Sequence, residues 1–405
     1  MDHHLIAQFL GVLAVILATA RLFGAGARAI GQPAVLGELL AGVVLGASVL
    51  GLIRPDDVAR SGTLVLGFLS EVGVVILLFE IGLETDLVRL LRAGSASTAV
   101  AVVGVVLPFA GGYLVCRWFG LPNKECIVAG AALTATSVGI TARVLNDLGR
   151  LHAPESQIVL GAAVIDDILG LIILTVVGGL NDDKTPIAGT VAIVTAKAFG
   201  FLIITLVAGS LLIPPLVRWL HRMAIPGMLT TLALLLAFGL AWGADAAGSA
   251  SIVGAFVAGL LLRRTPQAHE IEKAVAPLGH FFVPLFFVFV GASVDVRTFV
   301  PHAAAGWTTL AIGGSLIVVA VVGKVAAGFA PFWFRGKKLV IGVGMVPRGE
   351  VGLIFAQMGL AKGLFTEKDN MFSAVTLMVM VTTLLTPPLL RVLFPPLKPE
   401  DLESI

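Results

Sequence analysis

Residues 161–174 read GAAVIDDILGLIIL, placing two adjacent acids, Asp166 and Asp167, inside an apolar run that extends from about residue 157 to residue 180. A run of that length crosses a hydrocarbon core of about 30 Å, and the two carboxylates then lie near its middle. A charged side chain at that depth costs roughly 2.5–3.5 kcal/mol, so each must be paired, wetted, or both. Neighbouring residues on a helix point about 100° apart. One acid can therefore face a partner helix while the other faces a cavity.

The rest of the chain has the composition of a membrane protein. Its 405 residues are 58% hydrophobic and 13% charged, with mean hydropathy +1.02, whereas soluble domains carry about 25% charge. Apolar runs bounded by charge, Pro or Gly fall at 5–23, 33–53, 63–83, 96–118, 124–145, 157–180, 188–215, 228–244, 248–263, 277–294, 304–332, 338–360 and 371–394. The fold class expected is an all-α integral membrane protein of about 13 transmembrane helices in one domain. Thirteen divides into a first six-helix half (1–180), a linker helix (188–215) and a second six-helix half (228–394). Corresponding helices are then an odd number apart, so the second half enters the membrane from the opposite face. That is an inverted-topology repeat, with ion sites expected at the midplane. The first run has no basic leader and no small-residue cleavage site, which marks a retained helix. The chain stops about eleven residues after its last run, and no soluble regulatory domain is expected within it.

Basic residues set the orientation, because cytoplasmic loops are enriched in them. Sixteen Lys and Arg lie in the connections on one side, among them Arg89, Arg92, Arg143, Arg150, Arg263 and Arg264, against eight on the other. The N-terminus is accordingly expected outside a bacterial-type inner membrane and the C-terminus in the cytoplasm. The net charge of +2, with its basic residues scattered, gives no reason to expect a nucleic-acid partner. No histidine cluster suggests a metal centre or any other cofactor. Cys116 and Cys126 flank a short connection and could bridge only if it lies outside.

Three Lys and Arg fall inside spans: Lys197, Lys324 and Arg348. Lys197 lies on the linker helix and can snorkel. Lys324, in VVGKVAAG, is the expected partner of Asp166 and a second proton carrier. Asp167 is then left to hold either a cation or a proton, since hard alkali ions favour oxygen ligands. Two runs are interrupted near the midplane, at Thr134-Ala135-Thr136-Ser137 and at Pro347-Arg348-Gly349-Glu350, each the fifth run of its half. Non-helical backbone at that depth must line a cavity or be buried in protein. Thr134 and Ser137 could add oxygens to the ion site, or bond back to their own helix. Arg348 and Glu350 are expected to balance the half-helix dipoles. Glu80, in VVILLFEIGLE, is a further carboxylate within a span.

At these motifs the chain resembles the cation:proton antiporter-2 family, in particular its bacterial double-Asp sodium/proton antiporters. The resemblance rests on QPAVLGELLAGVVLG at 32–46, EVGVVILLFEIGLETDL at 71–87, TATSVGITARVL at 134–145, GAAVIDDILGLIIL at 161–174, VGAFVAGLLL at 253–262, GK at 323–324 and MVPRGEVGLI at 345–354. It implies an NhaA-like fold with two broken, crossing helices, a homodimer in lipid with separate dimerisation and core domains, and an elevator-like core movement. It also implies electrogenic exchange of Na+, with Li+ as a second cation, for H+, the cation on Asp167 and Asp166 paired with Lys324. Ala47 stands where many relatives have Pro, and Glu80 where they are usually apolar.

A K+/H+ antiporter, or the membrane part of a K+ efflux transporter lacking its regulatory domain, is the nearest alternative. The double-Asp pair resembles the sodium branch more than the Gln-Asp pattern of the potassium-efflux branch. A channel fits inverted halves and a mid-membrane ion pair less well. An intramembrane aspartyl protease would need two Asp on separate helices, and no GxGD motif is present. No enzymatic activity is expected.

Overall fold

The structure, a computed structural model, describes residues 3–54, 61–178, 187–222, 227–294, 304–361 and 371–395. These form sixteen helices: α1 (His3–Ala29), α2 (Ala34–Leu45), α3 (Ser61–Glu84), α4 (Leu87–Arg92), α5 (Gly94–Trp118), α6 (Asn123–Ala132), α7 (Val138–Asp147), α8 (Pro154–Gly178), α9 (Ile187–His221), α10 (Met228–Ala246), α11 (Ser251–Arg263), α12 (Ala268–Ala292), α13 (Ala304–Ala327), α14 (Lys338–Gly344), α15 (Gly349–Ala361) and α16 (Met371–Leu393). No strand occurs among the described residues. Nine of the helices are long and apolar enough to cross a membrane. The protein is a multi-pass membrane protein.

The run 124–145 is two helices, α6 and α7, and 338–360 is α14 and α15. The run 33–53 is not one long helix: α2 stops at Leu45 because Gly46 takes extended backbone (φ −67°, ψ 175°), and 46–53 turns back on it. α12 begins nine residues before the expected start at 277 and continues through Pro277 and Pro284. The short α4 was not expected. Asp86 caps it, its carboxylate accepting from the Val88 N–H at 2.7 Å and the Arg89 N–H at 3.1 Å. The bond from Arg89 leads in holding that carboxyl below its ordinary range.

The helices pack as two bundles. In one, α1, α2, α3, α10, α11 and α12 lie side by side; in the other, α5 and α6 pack with α8 and α13–α16. α9 leans on α8, α10 and α11 and joins the two, with Ile203, Ile204, Leu211 and Leu212 facing outward as a lipid-facing surface would. The seam is apolar: Leu39, Leu77 and Leu78 from the first bundle meet Val138, Ile140 and Leu160 from the second.

Within the first bundle two pairs of helices touch backbone to backbone, and the two contacts are copies of each other. A Cβ on Gly291 of α12 would lie 3.0 Å from Cα of Gly42 on α2, and a Cβ on Gly82 of α3 would lie 3.0 Å from Cα of Gly259 on α11. Likewise Gly37 of α2 presses on the Phe23 carbonyl of α1, and Gly254 of α11 on the Leu240 carbonyl of α10. The like contacts set α1 beside α10, α2 beside α11 and α3 beside α12 as counterparts. Small residues that let backbones approach are how membrane helices associate. Gly259→Val is expected to cost about 1–3 kcal/mol through overpacking, read as a lower thermal midpoint in detergent. Gly239→Ala, where nothing lies within 4 Å, should leave the midpoint unchanged or raise it.

Candidate ion-binding site

α6 ends at Ala132 and α7 begins at Val138; α14 ends at Gly344 and α15 begins at Gly349. Pro347 has no N–H to continue α14 and biases Val346 toward extended backbone. Gly349 then turns at φ +48°, in the left-handed region that favours glycine. The two interruptions meet and bond to each other. The Ser137 N–H donates to the Pro347 carbonyl at 2.8 Å, the Thr136 hydroxyl to Met345 O at 3.2 Å, and the Thr141 hydroxyl to Gly344 O at 2.6 Å. A Cβ at Gly349 would lie 2.6 Å from the Ser137 side chain, so the crossing admits no larger residue there.

Arg348 takes up further carbonyls at the crossing. Fully buried, it donates through Nη1 to Ala135 O at 2.8 Å and Thr134 O at 3.3 Å, and through Nη2 to Ala320 O on α13 at 3.4 Å. Its charge sits against the carbonyls released where α6 stops, the negative end of that half-helix dipole. The other interruption is held from α16: Thr383 Oγ1 accepts the Gly349 N–H at 3.1 Å. The Thr134 hydroxyl bonds back to Ala131 O at 2.7 Å, so its proton is committed to α6. Glu350 lies in the first turn of α15, but its side chain falls outside the described residues.

Beside the crossing, Lys324 Nζ lies 3.2 Å and 3.3 Å from the two Asp166 carboxylate oxygens, and both side chains are inaccessible to solvent. α5 makes room for the pair: a Cβ at Gly104 would lie 3.3 Å from Lys324 Nζ. Asp167 points elsewhere, as the 100° offset requires. The residue borders a narrow cleft on the seam, with Leu78 of α3, Val138 of α7, Leu160 and Val164 of α8, and Ile252, Val253 and Phe256 of α11. Every other residue on that lining is apolar.

Glu80 is not on the lining. Its carboxylate rests over Gly279 of α12, where any Cβ would collide with both oxygens. One turn further along α3, Glu84 Oε1 accepts from Asn146 Nδ2 of α7 at 3.2 Å, a polar link between the bundles. The thiols of Cys116 and Cys126 are both free and buried. No group of three or more metal-ligating side chains occurs among the described residues.

The family model described as "Sodium/hydrogen exchanger, transmembrane" matches residues 13–394. The chain belongs to the sodium/hydrogen exchanger family. Among similar sodium/hydrogen exchanger sequences, the high-affinity Na+/H+ antiporter NhaS3 of Synechocystis sp. is 41% identical over 421 residues, covering 96% of this chain and 90% of that one. The Na+/H+-K+ antiporter GerN of Bacillus cereus is 37% identical, covering 96% of both chains, and an Enterococcus hirae Na+/H+ antiporter is 31% identical, covering 95% and 97%. The solved sodium/proton antiporter MjNhaP1 of Methanocaldococcus jannaschii shares the fold, with a TM-score of 0.67 over 96% of both chains at 16% identity.

For this exchanger the buried pair yields a stability prediction. Lys324→Ala leaves Asp166 charged, buried and unpaired, and is expected to cost about 3–5 kcal/mol. Adding Asp166→Asn should restore much of the lost thermal midpoint, the non-additivity that marks a direct pair. Simple addition of the two losses would show that they do not interact.

Proposed function

We propose that this chain exchanges a monovalent cation, Na+ first, for protons, with Asp167 as the carboxylate that carries them in turn. The observation that carries the reading is the unequal setting of two neighbouring acids. Asp166 is ion-paired with Lys324 at 3.2 Å, and Asp167 beside it is the one charged residue bordering the cleft between the bundles. Either a cation or a proton there cancels its charge, and the two compete. Ser137, beside Val138 on the cleft wall, and Thr134 supply further oxygens at the interruption. Arg348 and Glu350 balance the ends of the half-helices. That relatives described as Na+/H+ antiporters match along almost their whole length supports the reading.

Charge counting bears on stoichiometry. Trading one Na+ for one H+ at Asp167 would move no net charge. If Lys324 gives up its proton when the cation loads, two protons move against one cation and the exchange becomes electrogenic. The seam between the bundles is apolar, which suits an elevator movement of the α5–α8 and α13–α16 bundle against the other. In this reading about thirteen segments span the membrane as six, one and six, the N-terminus is outside, and two chains form a homodimer. K+ is the second cation to test, because GerN is described as an Na+/H+-K+ antiporter.

Purified protein in proteoliposomes with a trapped pH dye tests these points. Na+ added outside should drive proton movement, and Asp167→Asn should abolish it; exchange that survives Asp167→Asn at the original rate overturns the assignment. With the membrane potential clamped at different values, the rate of the unsubstituted protein should follow voltage. Lys324→Gln, if it exchanges at all, should do so without voltage dependence.

A further inference from the structure

α5 carries Pro108 in its interior, buried, and packs along α13. Proline has no N–H, so the carbonyl four residues back, on Gly104, loses its ordinary partner within the helix. In hydrocarbon a carbonyl freed in this way is satisfied by a neighbouring helix, a hydroxyl or a water. The protein meets the same demand once more, in α12. Pro284 frees the His280 carbonyl there, and Arg21 of α1 donates to it through Nη2. A basic side chain on an adjacent helix stands in for the missing N–H.

Beside Pro108 the basic side chain is Lys324. A Cβ at Gly323 of α13 would lie 3.0 Å from Cγ of the Pro108 ring and 3.2 Å from its nitrogen, and a Cβ at Gly104 would lie 3.3 Å from both Cδ and Nζ of Lys324. The Gly104 carbonyl runs from residue 104 toward residue 108, along the stretch of α5 that Gly323 and Lys324 cover. An ammonium has three N–H groups, and the two Asp166 oxygens accept from Lys324 at 3.3 Å and 3.2 Å. Bonds between an ammonium and a carboxylate are ordinarily about 2.7–2.9 Å. The Lys324 ammonium therefore stands off from its acid, on the side where α5 offers a further acceptor.

We infer that the Gly104 carbonyl is a second acceptor for the Lys324 ammonium, taken up when Asp166 is neutral, and that Gly104 and Pro108 are positioning residues that make the Asp166–Lys324 pair separable. Without that acceptor, neutralising Asp166 would strand a fully buried charge, which is strongly unfavourable. With it, the ammonium makes a short swing from α8 to α5. Gly104 leaves room for the swing, and Pro108 keeps the carbonyl out of the helix ladder. The inference rests on the proposed exchange in its kinetic readout and stands apart from it in its spectroscopic one.

The first test needs no transport. Full-length protein, isotope-labelled at lysine Nζ and at glycine carbonyl carbons, is studied in liposomes by dipolar-recoupling solid-state NMR, the Lys324 signal being the one lost in Lys324→Met. A hydrogen bond to a carbonyl places the nitrogen about 4 Å from the carbonyl carbon. Asp166→Asn should bring Lys324 Nζ to that distance from one glycine carbonyl, closer than in the unsubstituted protein. Adding Pro108→Ala, whose N–H takes the Gly104 carbonyl back into the helix, should abolish the contact. No such contact in Asp166→Asn, one unchanged from the unsubstituted protein, or one that survives Pro108→Ala overturns the inference. The comparison of Asp166→Asn with the unsubstituted protein decides the matter even where Pro108→Ala fails to fold. In proteoliposomes, Pro108→Ala should lower turnover severalfold with half-saturating Na+ nearly unchanged, since Asp167 is untouched. Unaltered turnover, or a loss confined to Na+ affinity, would count against the second acceptor, whereas absence of exchange in the unsubstituted protein would speak against the proposed function alone.

Discussion

A backbone that leaves the helical conformation inside hydrocarbon has no water to satisfy its N–H and C=O groups, and every feature of the candidate site follows from meeting that demand. The two interrupted helices meet it partly by bonding to each other, through Ser137 and Pro347, and partly through Arg348 on the carbonyls of Thr134 and Ala135. The guanidinium makes the crossing electrostatically positive in a region with no bulk solvent. Two aspartates can exist beside it at tolerable cost because one of them also has Lys324. The second carboxylate, Asp167, borders the cleft on the seam beside the crossing.

Packing within the first bundle differs in kind from packing between the bundles. Inside the first bundle, helices lock through bare backbone at Gly42–Gly291 and Gly82–Gly259, contacts too close to shift without steric cost. Between the bundles the surfaces are mostly smooth aliphatic side chains, with few directional bonds to break. Asn146 to Glu84 is one of those few. Dispersion across such a seam changes little as one face moves over another, whereas a hydrogen-bonded or glycine-locked interface would resist.

Much of this was legible in the sequence because charge in a membrane is expensive, so Asp166, Asp167, Lys324 and Arg348 announce themselves against an apolar background. The interruptions were legible too, since Pro347 and the run of hydroxyls at 134–137 break the pattern. What could not be read was direction in space. Nothing local says that Arg348 reaches the carbonyls of the other interrupted helix, or that Gly104 on α5 clears room for the Lys324 ammonium. The length of α2 was misjudged because 46–53 is as apolar as a helix while its backbone folds back. One signal was present and unread: residues 37–42 read GELLAG and 254–259 read GAFVAG, a shared G-x-x-x-A-G that marks the two halves and both glycine crossings. Thr383 carried no such signal, because a lone threonine in an apolar run resembles any other.

The seat of Glu80 on Gly279 carries a consequence for how this chain can diverge. A methyl group at position 279 would meet the carboxylate in its present rotamer, and the flexible Glu80 side chain would have to swing aside to make room. The glycine therefore chooses where the acid rests and leaves open whether an acid can be there at all. Position 279, about 200 residues away in the chain, is a place from which the direction of this carboxylate can be retuned without touching the acid itself.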